Sequence, residues 1–563
     1  MKRNVFRTKN QLYLYRYFFI MAMMVILAVL FLLIGNMGLT ASLLHLDTVS
    51  SEEAAFDSFA FSSENERIER NAQIQSAQVI GEGAPSVSLY DPENDNTMVT
   101  TQLEITKQPY TVVTSLENVE KGNQLLIVDA DSLSADQVSI LADLAADGMN
   151  LLFTGMPDES SLQNRQLLKL LGIESVNGKA TWRGIRTSSS LLTGTMIEKT
   201  KYETSGMDVI LSDDNKVYAS ALPDQYWLYE NDDLPPIIWR HIEGSGYGRV
   251  YVFNGDFMES EMGYGIVPVV ISEINENYLY PIINAYCVTA SGYPYAYNEE
   301  RESWERLYSR DKLLIQQDLL SSQLKRYTSV YGVRLTCFSP DYEVMSSTQD
   351  NSLTYYTQQL DSSRGLLAKE ENGVFMLGGD YQGIEIVDWN PDFRFWDAST
   401  GTLYFPICFN STTDDVQAEE YTIAGFGSTM GIFAVNIDYD NLLDYEGEDD
   451  VWTLYCSDQE TMLGTQERDY GWLERVTVKE ALGRILKLLE MKIEIGYFSD
   501  HIDVSVENFE NEAWFILRST CDELKIDNGT IEEIGENCYF VTLNSADAVI
   551  TWENKKVESL SHS

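Results

Sequence analysis

The densest group of side chains able to do chemistry is the acidic run Asp438, Asp440, Asp444, Glu446, Glu448, Asp449 and Asp450. It fails as a calcium loop, because Leu442 takes the fifth position and the sixth is not glycine. Two carboxylates flanking a bond suffice for glycoside hydrolysis, but almost any chain offers such pairs, and a solvated acidic loop is the plainer reading. A second group is aromatic. Tyr293, Tyr295, Tyr297 and Trp304 follow an apolar strand, and Trp389 and Trp396 lie in VDWNPDFRFWD. Aromatic faces stack on sugar rings, and in α/β barrels sites gather at the C-terminal strand ends. Tyr293, Tyr295, Trp304, Trp389, Trp396, Asn436 and Asp438 are therefore the candidate glycan contacts, with core or loop packing as the alternative for each.

Metal chemistry has little to work with. The four histidines are His45, His241, His501 and His562, and the six cysteines (Cys287, Cys337, Cys408, Cys456, Cys521 and Cys538) form no CxxC pair. Zinc sites are built from such ligands, so no metal or other cofactor is expected. Cys287, Cys337 and Cys408 sit in apolar runs and read as buried thiols. Cys521 and Cys538 are close enough in sequence to pair, though nothing requires it. Gly244-Ser-Gly246-Tyr-Gly248 precedes a strand rather than joining strand to helix, so it reads as a turn and not a phosphate cradle.

The elements that must hold these residues follow from periodicity. Tyr17–Ile34 is an uncharged apolar run flanked by Lys2, Arg3, Arg7, Lys9 and Arg16 on one side and by Asp47, Glu52 and Glu53 on the other. About 20 apolar residues span a bilayer, and positive flanks stay inside. The reading is a cytoplasmic tail at 1–16, a transmembrane helix at 17–39, a spacer at 40–76, and the bulk of the chain outside the cell membrane. Strand-like SVSLYD, YTVVTS, QLLIVDA and MNLLFTG alternate with helices, the first opened by a capping box at Ser134 and Gln137, and predict a Rossmann-like α/β domain over 77–276. A second alternating unit, 277–490, runs through YPIINAYCVT, VRLTCFSP, VFMLGG, LYFPICF and MGIFAVNI and predicts an irregular (β/α) barrel. Short alternating strands over 491–555 predict an antiparallel β-sandwich, with a tail at 556–563.

Charge narrows the partners. The chain carries 39 basic and 87 acidic residues, a net charge of −48. Nucleic acid and anionic headgroups would be repelled. A cationic polymer, such as a partly deacetylated aminosugar polysaccharide, would be attracted, although an acidic surface also serves solubility alone.

Two resemblances sharpen the reading. QLLIVDADSLSADQVSILADLAADGMNLLFTG (124–155) and GRVYVFNGDF (248–257) resemble the class I glutamine-amidotransferase-like fold, but 77–274 holds no cysteine, so the nucleophile is missing. YPIINAYCVTASGYP (280–294), GIFAVNIDYDNLLDYEGEDDVWTLY (431–455) and DYGWLERVTVKEAL (469–482) resemble the polysaccharide-deacetylase-like domain of membrane-anchored proteins of Pel-type exopolysaccharide systems in Gram-positive bacteria. That family implies a divalent metal held by one aspartate and two histidines. Here Ala290 and Ser291 stand where its paired acids belong, MLGGDYQG (376–383) lacks histidine, and Asn436 or its neighbour replaces the late histidine. The expectation is a membrane-anchored exopolysaccharide protein, working with other envelope synthesis proteins, whose degenerate barrel holds polymer as a scaffold. An active carbohydrate hydrolase or deacetylase with an unrecognised carboxylate site, and an envelope assembly or sensor protein, are the alternatives.

Overall fold

The computed structural model describes residues 21, 23–24, 50–76, 85–93, 97–120, 122–188, 191–192, 197–199, 203–213, 215–223, 234–255, 258, 263–275, 277–293, 308–309, 316–339, 351–371, 374–377, 383–412, 414, 419–439, 442 and 451–553. Met1–Ser50 is a unit of its own, in which Met21, Met23 and Met24 are helical. Among the described residues no helix is long and apolar enough to cross a membrane. The expected anchor at 17–39 lies outside them apart from those three methionines.

Ser51–Ser563 is mixed α/β. Its first sheet has nine strands. Tyr110–Val113, Val87–Tyr90, Leu125–Val128, Asn150–Phe153 and Val250–Phe253 run parallel in that order, and four antiparallel strands extend the sheet beyond them. The parallel strands are nearly continuous apolar runs because helices cover both faces. The helix Ala135–Ala146 carries the expected capping box, with Val138, Leu141, Leu144 and Ala145 buried. The next helix opens at Arg165 with Asn164 as its cap, after a short 3-10 turn at Ser161–Gln163. Gly248 is fixed by contact, since a β-carbon there would overlap the Met149 carbonyl oxygen.

The run YPIINAYCVT is two strands in different sheets. Asn277–Ile282 pairs with Ala513–Ser519 in the sandwich, and Ala285–Ser291 is the middle of the central sheet. The chain turns between them at Asn284, whose φ of 57° is left-handed, a conformation asparagine tolerates. The sandwich therefore takes one strand from ahead of the central unit. Its two four-stranded sheets enclose Ile495, Ile502, Val504, Phe515, Leu517, Val541 and Ile550.

The central sheet runs Val374–Met376, Leu366–Glu371, Leu335–Ser339, Ala285–Ser291, Ile432–Asp438, Phe409–Asn410, all parallel except the first. Ile384–Asp388 and Thr402–Ile407 pair in parallel in a separate small sheet. Thr402–Ile407 leads directly into Phe409–Asn410, so the array curves, and Val374–Met376 comes back beside Ile384–Asp388. No ladder joins those two among the described residues, so the expected barrel is not closed.

Residues 51–76, within the stretch read as a spacer, form two helices, Ser51–Ala60 and Glu64–Ser76. Phe56 and Phe59 are fully buried in the main core. They dock on Val478–Glu490, a helix opened by a capping box of Thr477 and Glu480. Lys487 pairs with Glu52, Lys479 with Asp57, and Arg70 with Glu490. All six cysteines are free thiols. Burial accounts for Cys287 and Cys337, whose thiols it pushes well up in pKa.

Candidate functional site

The parallel strands of the central unit present their C-terminal ends on one side, where sites collect in open α/β sheets. Ile432–Asp438 delivers Asn436 and Asp438. Ala285–Ser291 delivers Thr289 and Ser291, paired in register with Asn436 and Asp438. Ile384–Asp388 ends on Asp388, and Asp414 follows Phe409–Asn410.

Beneath the rim lies a buried polar network. The Thr289 hydroxyl donates to Asn436 Oδ1 (2.8 Å), and Asn436 Nδ2 donates to Ser291 Oγ (3.1 Å). The Ser411 hydroxyl and amide both donate to the Asn436 carbonyl, at 3.0 and 2.9 Å. Thr289, Ser291, Ser411 and Asn436 are each at most 5% exposed. The Asn436 amide is thus committed to its neighbours rather than offered to a ligand. Asn436→Ala would remove the partner of the buried Ser291 hydroxyl, leave Thr289 only its bond to the Val435 carbonyl (3.2 Å), and open a void, and is expected to cost about 2–4 kcal/mol, read as a lower urea midpoint. An unchanged midpoint would refute this account of the network.

Above the network stand three carboxylates. Asp388, at the rim, holds its proton more tightly than an ordinary aspartate, first because of partial burial and then because Asp414 and Asp438 are near. Like charges gathered in one place disfavour full ionisation. Asp414 Oδ2 accepts the Asn410 amide at 2.5 Å, which fixes its loop. Such a group can attract a cation.

The aromatic candidates go elsewhere. Tyr293 is 2% exposed, packed edge-on to Tyr356 and against Tyr439. Trp389 donates its indole N–H to the Tyr264 hydroxyl (3.0 Å) and packs on Tyr264 and Phe426. Trp396 donates to Asn71 and meets Phe59 edge-on, in a different cleft. Tyr295 and Trp304 lie outside the described residues, as does every acidic residue of the run after Asp438. Asn436 and Asp438 are thus the two sequence candidates that meet at the strand ends. Asp388 and Asp414 are additions from the fold; the one sequence signal for Asp388 was its place at the end of a strand-like IEIVD.

A deacetylase-type metal does not fit here. Ala290 and Ser291 supply no acid, Asn436 is spent in hydrogen bonds, and no histidine occurs between His241 and His501. Among the described residues no group of three or more His, Cys, Asp or Glu is placed to hold a metal ion.

A family model described as "Uncharacterised protein conserved in bacteria (DUF2194)" matches residues 407–540. The matched stretch includes Asn436, Asp438 and Ser411 and most of the sandwich, but not Thr289 and Ser291. A comparison with curated proteins gives no match. Among solved structures, the exo-β-1,4-mannosidase Op5Man5 from Opitutaceae bacterium strain TAV5 overlaps 31% of this chain and 31% of its own, at 15% identity and a TM-score of 0.23. The β-galactosidase Gan42B from G. stearothermophilus overlaps 31% of this chain and 27% of its own, at 16% identity and a TM-score of 0.22. A putative GMP synthase protein from Thermoplasma acidophilum overlaps 31% of this chain and 83% of its own, at 11% identity and a TM-score of 0.20. The chain thus spans less than a third of the length of either glycosidase, and scores this low do not amount to a common fold.

Proposed function

We propose that this is a membrane-anchored extracytoplasmic protein of exopolysaccharide synthesis or export, in which the central unit holds polymer at its strand ends without metal-dependent deacetylation. The observation that carries the reading is the gathering of Asp388, Asp414 and Asp438 over a hydrogen-bonded floor, at positions with no metal ligand set. A cluster of carboxylates in a chain of net charge −48 suits an aminosugar polymer bearing free ammonium groups. Each exposed ion pair contributes about 0.2–1 kcal/mol, so avidity along a polymer does the rest.

The test is binding of chitosan and of fully acetylated chitin oligomers to the full chain in lipid nanodiscs. Deacetylated polymer should bind more tightly, lose affinity in salt, and weaken about threefold to tenfold in Asp388→Asn/Asp438→Asn. Equal binding of both polymers, or release of acetate, would sink the scaffold reading. A hydrolase reading draws support from the raised proton affinity of Asp388 beside a second carboxylate, the division of labour glycosidic cleavage needs. New reducing ends, lost in Asp388→Asn, would favour it.

A further inference from the structure

A cleft of about 510 Å³ opens where Glu64–Ser76, Thr97–Ile105, the segment 394–398 and Val478–Glu490 meet. Its walls are largely apolar, with Leu103, Ile105, Phe395, Trp396 and Leu488 among them. That size and lining, at a junction of structural units, is typical of small-molecule sites. Three charged residues line it: Lys107, Arg394 and Glu104. Two cations to one anion is a local excess of positive charge in a chain whose net charge is −48.

Lys107 is unusual in its backbone as well. Thr97–Ile105 ends in a Schellman motif, with the Gln108 amide bonded to the Leu103 carbonyl and the Lys107 amide to the Glu104 carbonyl. Lys107 takes the left-handed position, φ 54°, where glycine is usual. A side chain there costs about 1–2 kcal/mol. The ammonium is buried, donates to the Met491 carbonyl (2.6 Å) and the Leu489 carbonyl (3.3 Å), and is pushed by burial to a pKa of about 7. The charged groups facing the cleft around it are Arg394 and Glu104, which binds Arg394 at 3.0 Å and accepts from the Tyr110 hydroxyl at 3.1 Å.

We propose that this cleft binds a small organic anion with an apolar body, its carboxylate drawn by Lys107 and Arg394 and its hydrocarbon or aromatic part seated against Phe395, Trp396 and Leu488. An arriving carboxylate favours the protonated amine. Binding therefore takes up a proton and weakens as pH rises above about 7.

The probes are 2-naphthoate, 2-naphthylmethanol and 2-naphthylmethylammonium, which share one body and differ in charge. They are titrated calorimetrically into the full chain in zwitterionic nanodiscs, against empty nanodiscs, at pH 6.5 and 8.5. Naphthoate should bind about tenfold more tightly than the alcohol at pH 6.5 and lose about tenfold by pH 8.5. Lys107→Met should remove the pH dependence and reduce the charge preference to what Arg394 alone supplies, while the alcohol binds as before. Leu488→Trp should fill the cleft and abolish binding; Ala398→Trp, at the exposed rim, gives the same reading if the core variant does not fold. Equal affinity for the three probes, or undiminished naphthoate binding in both tryptophan variants, would overturn the proposal.

Discussion

Gly483→Val is expected to unseat the Ser51–Ala60 helix from the rest of the molecule. Glycine inside a helix normally costs about 1 kcal/mol relative to alanine, so adding a side chain should help unless space forbids it. Space does forbid it. A β-carbon at Gly483 would overlap the Glu52 carbonyl oxygen and lie 2.6 Å from its carbon. Both are backbone atoms that no rotamer change can move. The helix must back away, and with it go Phe56 and Phe59, both 0% exposed, and the pairs Lys487–Glu52 and Lys479–Asp57. Overpacking costs about 1–3 kcal/mol, and exposing each phenylalanine about 1.5–3 kcal/mol more. The sum exceeds any helix-propensity gain, so local undocking should precede global unfolding. Chymotrypsin should cut at Phe56 or Phe59 in native buffer in the variant and not in the parent. Phe56→Ala, which removes the ring without the clash, should expose the Phe59 site alone and produce that cut more weakly. Continued protection of both sites in Gly483→Val would show that the close approach does not hold the helix.

That helix also marks where sequence reasoning stops. Residues 51–76 are acidic and polar, which reads as spacer, and the two phenylalanines that enter the core are too few to set a period. The amphipathic helix Ala135–Ala146 was legible because its cap and its apolar face agree. The sandwich strands His501–Glu507 and Lys492–Tyr497 were legible because one face is buried and the other wet, which leaves a period of two in the sequence. Where burial is complete, the period vanishes. Asn277–Ile282 and Ala285–Ser291 are buried at every position, so the turn at Asn284 and the change of sheet left no mark beyond one asparagine. The site was half legible for a related reason. Asn436 and Asp438 stand on a strand whose end could be read. Asp388 joins them through the curvature of a separate sheet, which is a long-range property. Trp389 and Trp396 looked like sugar platforms because of their residue type; the fold uses both to pack units together, with each indole N–H satisfied by a protein oxygen.

Stability should rise with pH above neutrality through Lys107, and the slope should disappear in Lys107→Met. The lysine is 6% exposed, and burial lowers its pKa from 10.5 to about 7. The unfolded chain, with an ordinary lysine, therefore binds more protons than the folded one between those two values. Stability must climb with pH across that window. Below about pH 7 both states carry the proton, and the folded state bears the whole cost of a buried cation. Each pH unit inside the window is worth about 1.4 kcal/mol, so the gain from pH 7 to 9 approaches about 2–3 kcal/mol. The methionine variant would lose the hydrogen bonds to the Leu489 and Met491 carbonyls, at about 0.5–1.5 kcal/mol each, but would carry no proton to shed. The two proteins should therefore be closest in stability at pH 6, where the parent can even be the weaker, and furthest apart at pH 9, where the parent is stronger. Buried tyrosines and thiols titrate in both proteins alike, so the difference between them isolates the lysine. Urea midpoints at pH 6, 7, 8 and 9 measure it. Parallel curves would mean that Lys107 keeps its charge throughout, held by the carbonyls at the end of Val478–Glu490 and by the helix dipole there, and that the cleft beside it is wetter than its walls suggest.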